Sequence, residues 1–200
     1  MRKVFISTIP LTTPIEASYS SEVYSKGSIT GYPITVVMEN RLNKGEEATV
    51  ISIIAHSDGE VNQSEKNYAL FKQQVGELEK TKGVKINYVE ISMGDRPTSA
   101  SHRELLNALQ EQLHDGDEVF ADITYGFKSN PIVIFAALSQ AYQLKDEIDI
   151  KEIIYGNLYN GKETKTPEIL EITSLFYMNA LAGTVGNLKN DDGKKFFIKI

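Results

Sequence analysis

The sequence predicts an α/β domain, with a mostly parallel central sheet flanked by helices and closed by a C-terminal strand pair. Three observations lead there. Short β-branched runs alternate along the chain with longer stretches of helical periodicity. Ala48 to Ala55 is almost continuously apolar, the pattern of a strand covered on both faces. No apolar run approaches ~20 residues, so no segment reads as a membrane span.

The elements follow in order. Val4 to Ile9 is a first strand, stopped by Pro10. Residues 11 to 32 are rich in Ser, Thr, Pro and Tyr and read as a long loop. Pro33, tolerated in a first helical turn, opens a helix with Ile34, Val37, Met38 and Leu42 near helical spacing. Ala48 to Ala55 is the second strand. From about Ser64 a helix carries Tyr68, Phe71, Val75 and Leu78 on one stripe, and Gly83 ends it. Val84 to Ile91 is a third strand. Ser101 and Glu104 have capping-box spacing ahead of Leu105, Leu106, Leu109 and Leu113, and that helix closes at His114-Asp115-Gly116. Glu118 to Thr124 is a fourth strand, and Pro131 to Leu144 an apolar helix. Ile150 to Tyr155 and Glu168 to Ile172 form the C-terminal strand pair, joined by a polar turn around Asn160-Gly161. A last helix starts at about Ser174.

Two hundred residues fit one compact domain, and a 41% hydrophobic composition supplies a core, which excludes a disordered chain. The lack of cysteine removes disulfide and thiolate chemistry. His56, His102 and His114 fall on three elements without ligand spacing, so no metal is expected. No Gly-x-Gly-x-x-Gly run follows a strand, and no cofactor is expected either. The N-terminal apolar stretch is too short for a signal peptide, which makes the cytoplasm the default location. A net charge of −6 argues against wrapping a DNA duplex, although a local pocket could hold a small anion.

Such a pocket is written into Asp122-Ile123-Thr124-Tyr125-Gly126-Phe127-Lys128-Ser129-Asn130-Pro131. A strand stops at a glycine and a helix begins, capped by Ser129 or Asn130, with Pro131 in its first turn. The helix start offers free N–H groups, Gly126 lets the backbone approach a ligand, and Lys128 adds a mobile positive charge. The alternative is a well-capped strand–helix junction, with Asp122 capping its own loop and Phe127 serving as a core anchor. A second loop, Ser92 to Ser99, holds Met93, Gly94 and Arg96, and the first strand ends in the hydroxyl-rich Ser7-Thr8-Ile9-Pro10, followed by Thr12. Gly156 to Glu163 matches phosphate-loop spacing except at its last position, where Glu163 replaces the required Ser or Thr, so it reads as a hairpin turn.

The run from Ser92 to Pro131 resembles the CARF domains, the CRISPR-associated Rossmann-fold sensors. Those domains carry a Pro-x-Gly loop, an amphipathic helix and then Asp-x-Thr-His-Gly-Phe-Arg-Ser-x-Pro. The resemblance extends to Ile154-Tyr155-Gly156 and to Leu170-Glu171-Ile172-Thr173. Tyr125 stands for the usual His, Lys128 for Arg, and Met93 for the Pro before Gly94. The resemblance implies a Rossmann-like sensor domain over residues 1–188, with 189–200 a tail or the start of a missing effector. It implies a homodimer that binds cyclic oligoadenylate, with cyclic tetra-adenylate favoured, at its two-fold axis. The ligand would meet Ser7, Thr8, Ile9, Thr12, Met93, Gly94, Arg96, Thr124, Tyr125, Gly126, Phe127, Lys128, Ser129, Asn130 and Asn157. Two alternatives stay open: a metal-independent ring nuclease and a Rossmann-like domain for a mononucleotide. In the nuclease, Lys128 and the N–H groups of Ser129 and Asn130 would stabilise charge on the phosphate while the ligand's own 2′-hydroxyl attacks, leaving 2′,3′-cyclic phosphate ends.

Overall fold

The computed structural model describes residues 1–24, 28–158 and 167–186. The described elements run β1 (Lys3–Thr8), α1 (Pro33–Arg41), β2 (Glu47–Ala55), α2 (Gln63–Lys82), β3 (Lys85–Met93), α3 (Ser99–Gln112), β4 (Glu118–Asp122), α4 (Asn130–Leu144), β5 (Asp149–Leu158), β6 (Pro167–Glu171) and α5 (Thr173–Gly186). The sheet order is β3-β2-β1-β4-β5-β6. Strands β1 to β5 are parallel, and β6 returns antiparallel to β5. The architecture is Rossmann-like, as the alternation of elements predicts.

Side-chain alternation along the strands feeds two cores, one on each face of the sheet. Phe5, Val50, Phe120 and Ile154 pack with Val37 and Met38 of α1 and with Tyr68 and Phe71 of α2. Val4, Ile6, Ile51 and Val119 pack with Leu105 and Leu109 of α3, Leu138 of α4 and Phe176 of α5. Helices α1 and α2 thus cover one face while α3, α4 and α5 cover the other. The winding reverses between β1 and β4, and in sheets of this kind ligands gather outside the carboxyl ends of the strands at that point.

Local chemistry departs from expectation at α3. Its cap is Thr98, whose Oγ1 accepts the Ser101 N–H at 3.0 Å while Ser101 Oγ accepts the Thr98 N–H at 2.8 Å. That reciprocal pair satisfies the donors one turn earlier than a Ser101–Glu104 box would, and it makes Ser101 the third helical residue. Strands β3 and β5 also run two and three residues further than their periodicity indicates, to Met93 and Leu158. The turn at Asn160-Gly161 and the tail at 189–200 lie outside the described residues.

The stretch between β1 and α1 is a pinned strap rather than an open loop. Ala17 pairs with Thr30, and Ser20 joins the free side of β6. The Asn67 amide donates to the carbonyls of Pro10 (2.9 Å) and Thr12 (2.8 Å), while the Tyr32 hydroxyl donates to the Asn67 carbonyl at 2.6 Å. At the far end of the strap, the Pro33 ring lies on Gly156 of β5. A β-carbon on Gly156 would overlap Pro33 and approach Thr124 Oγ1 to 3.2 Å. Gly156→Ala is therefore expected to cost about 1–3 kcal/mol in urea unfolding, the range for overpacking a filled site. An unchanged midpoint would mean that the α1 start yields without cost.

Candidate functional site

Asp122 ends β4 and is 1% exposed. Its Oδ1 accepts the Thr124 N–H (2.9 Å) and the Thr124 hydroxyl, and its Oδ2 accepts the Ile34 N–H at 3.1 Å. Burial pushes this carboxyl up to about 6, against three hydrogen bonds that favour its charged form. Thr124 Oγ1 in turn accepts the Gly156 N–H at 2.7 Å. One buried carboxylate thus fixes both the loop leaving β4 and the start of α1. Asp122 caps its own loop, as its position suggested, and Thr124 is committed to the same lock.

The loop then passes under β1. Thr8 Oγ1 donates to the Tyr125 carbonyl at 2.6 Å. Gly126 has φ 89°, in the left-handed region, and a β-carbon there would lie 2.7 Å from Asn130 Nδ2 and 3.0 Å from Thr8 Cβ. On the side where a β-carbon would sit, the need for glycine comes from these protein neighbours. After it, the N–H groups of Gly126, Phe127, Lys128 and Ser129 have no acceptor among the described residues. Four successive free donors beside a helix start are an anion-binding arrangement. The Asn130 N–H does not extend the run, because it donates to the Phe127 carbonyl at 2.9 Å. Lys128 is exposed and has no ion-pair partner among the described residues.

Two other side chains of this segment are occupied within the fold, and a third is buried without a partner. The Tyr125 hydroxyl donates to the Gly31 carbonyl at 2.9 Å, and burial pushes the phenol well above its ordinary range. Phe127 packs against the core on the α3/α4 face, so it is an anchor. Asn130 is 2% exposed, and its Oδ1 has no partner; the buried Ser7 Oγ is unpaired too.

The structure brings Thr8 against Tyr125 and Gly126 and pairs Ser7 with Asp122. Ile9 and Met93 are both buried in the core, one on each face of the sheet. The Ile9 N–H donates to the Ile53 carbonyl at 2.9 Å. Thr12, Gly94 and Arg96 are exposed, the last two on the connection leaving β3, which is two strands away from β1. Asn157 is half-buried on β5 opposite Glu168.

Sequence reasoning missed a histidine here. His102 Nε2 of α3 lies 2.8 Å from Ser129 Oγ. Ser129 occupies the cap position of α4, yet its side chain makes no capping hydrogen bond. The two residues are 27 positions apart, a separation that periodicity and motif spacing do not read. A second pair, His56 Nδ1 and Glu65 Oε1 at 2.8 Å, stands past the end of β2.

No family model matches the chain. In an alignment 123 positions long that covers 55% of the chain, it is 24% identical to a CRISPR-associated protein of Methanocaldococcus jannaschii. The matched part makes up 19% of that relative.

Proposed function

We propose that this chain is a CRISPR-associated sensor domain that binds cyclic oligoadenylate, with cyclic tetra-adenylate the first choice, on the axis of a two-fold dimer. The observation that carries the reading is the run of free N–H groups from Gly126 to Ser129, joined by the unpaired Lys128, at the winding reversal of a Rossmann-like sheet. Backbone donors of this kind suit a phosphodiester oxygen. The similarity to a CRISPR-associated protein supports the same setting.

A two-fold ring needs two identical half-sites. Helices α4 and α5 contain no charged residue, and they expose Ile132 (72%), Leu175 (58%) and Met178 (42%). Ile132 lies in the first turn of α4, beside the anion loop. Pairing these faces would bury apolar surface and bring two loops together.

Calorimetry with cyclic tri-, tetra- and hexa-adenylate tests the reading, followed by chromatography of the mixture. One ring per two chains is expected, returned intact. Lys128→Ala should weaken binding 10- to 150-fold, about 1.5–3 kcal/mol for one charge-assisted phosphate contact. Linear products with 2′,3′-cyclic phosphate ends would make the chain a ring nuclease. One mononucleotide per chain, with no ring bound, would overturn the sensor reading.

A further inference from the structure

We infer that His102 positions the Ser129 hydroxyl as a hydrogen-bond donor to the phosphate held at the anion loop, an inference that rests on the sensor reading above. Ser129 has helical backbone angles, φ −83° and ψ −20°, whereas a capping serine adopts extended ones. Its hydroxyl turns away from the first turn of α4 to His102 Nε2, 2.8 Å off. A hydroxyl carries one proton and two lone pairs. When Nε2–H donates to Oγ, the serine proton is left for a second acceptor, and no other partner of Ser129 Oγ occurs among the described residues. A phosphate oxygen held by the free Lys128 and Ser129 N–H groups can be that acceptor. The opposite tautomer would draw the serine proton to Nε2 and turn lone pairs toward the anion. Phosphate binding therefore selects the Nε2–H tautomer.

The support for this arrangement is rigid. The His102 N–H closes a helical bond to the Thr98 carbonyl at 3.0 Å, so the imidazole rides on the well-capped first turns of α3. Gln110 Nε2 donates to the Ala137 carbonyl at 2.6 Å and ties α3 to α4. A side chain held between two locked helices is preorganised for a hydrogen bond in the way a loop residue is not. An independent sign of a missing partner lies next door: Asn130, 2% exposed in the first turn of α4, leaves its amide oxygen unpaired. His102 acts here through Ser129, as a positioning residue.

The test combines calorimetry with cyclic tetra-adenylate and a titration of the imidazole NMR signals with inorganic phosphate. Ser129→Ala and His102→Ala should each weaken ring binding about 10-fold, the scale of a hydrogen bond to a charged group, and the double variant should lose no more than either alone. His102→Gln brings an amide N–H to about the reach of Nε2 and should restore most of the affinity. His102→Asn, which reaches only as far as Nδ1, should not. Unfolding midpoints measured on each variant separate a loss of fold from a loss of the relay. Additive losses, or full affinity in His102→Ala, would overturn the inference and leave the sensor reading standing. If the ring fails to bind but phosphate shifts the His102 signals, and Ser129→Ala abolishes that shift, the sensor reading falls and the relay stands. If neither ligand shifts those signals, the relay falls.

Discussion

Asp122→Ala is expected to destabilise the protein by about 2 kcal/mol at pH 7 and by up to about 5 kcal/mol near pH 4. The substitution strands the buried Ile34 N–H and the part-buried Thr124 N–H, at about 1–3 kcal/mol each, partly offset by removing a desolvated charge. The pH dependence comes from the raised carboxyl, about 6 in the folded protein against 3.8 for the free group. Between those values the native state holds the proton that the unfolded chain has released. Stability from this group is therefore fully present below about pH 4 and is lost as pH rises through 6, by about 3 kcal/mol. The alanine variant lacks that dependence, so its deficit narrows with rising pH. Urea unfolding at pH 4, 5.5 and 7 measures the gap; a constant deficit would show that Asp122 does not titrate in this window. Asp122→Asn should recover little, because an amide sets its own N–H against one of the two backbone donors.

Gly126→Val should abolish ring binding and cost about 3 kcal/mol or more of stability. A β-branched residue in the left-handed region is strained on its own account, by about 1–2 kcal/mol. Its β-carbon would also collide with Asn130 Nδ2 and Thr8 Cβ. Thr8 holds the Tyr125 carbonyl, so relief of the clash shifts the whole run of free donors. Gly94→Ala is the control: nothing lies within 4 Å of its β-carbon position, and it should unfold as the parent does. Amide shifts confined to residue 126, with ring affinity intact, would show that the loop tolerates the side chain.

The order of strands and helices was legible because each element declares itself locally. Ala48 to Ala55 needs no neighbour to read as a buried strand, and Gly83 takes φ 64° at the end of α2 as a C-terminal glycine does. The junction from Asp122 to Pro131 was legible for the same reason, since a strand end, a glycine and Ser-Asn-Pro follow one another. The uses of its side chains were not. Tyr125 finds its partner at Gly31, 94 residues away, and Ser129 finds His102 across a helix interface. A serine before a helix and an aromatic before a glycine have local roles with strong precedent, and tertiary contacts displaced both. The α3 cap shows the rivalry at shorter range. Thr98–Ser101 and Ser101–Glu104 have the same spacing, and the chain enters the helix at the first pair it meets.

The strap's contact with β6 bears on how copies of this chain can associate. An exposed border strand offers its backbone to any extended segment that drifts past, including the same strand of another molecule. Here Ser20 takes the Ile169 N–H at 2.8 Å and donates to the Pro167 carbonyl at 3.2 Å, while Pro167 itself has no N–H to give. Glu168 and Glu171 add charge along that border. Continuous strand addition is thereby blocked on this side, so among the described strands β3 is the border left for growth of the sheet into a second molecule. A two-fold contact between helix faces closes on itself after two copies, whereas ribbon-like growth along sheet borders need not stop.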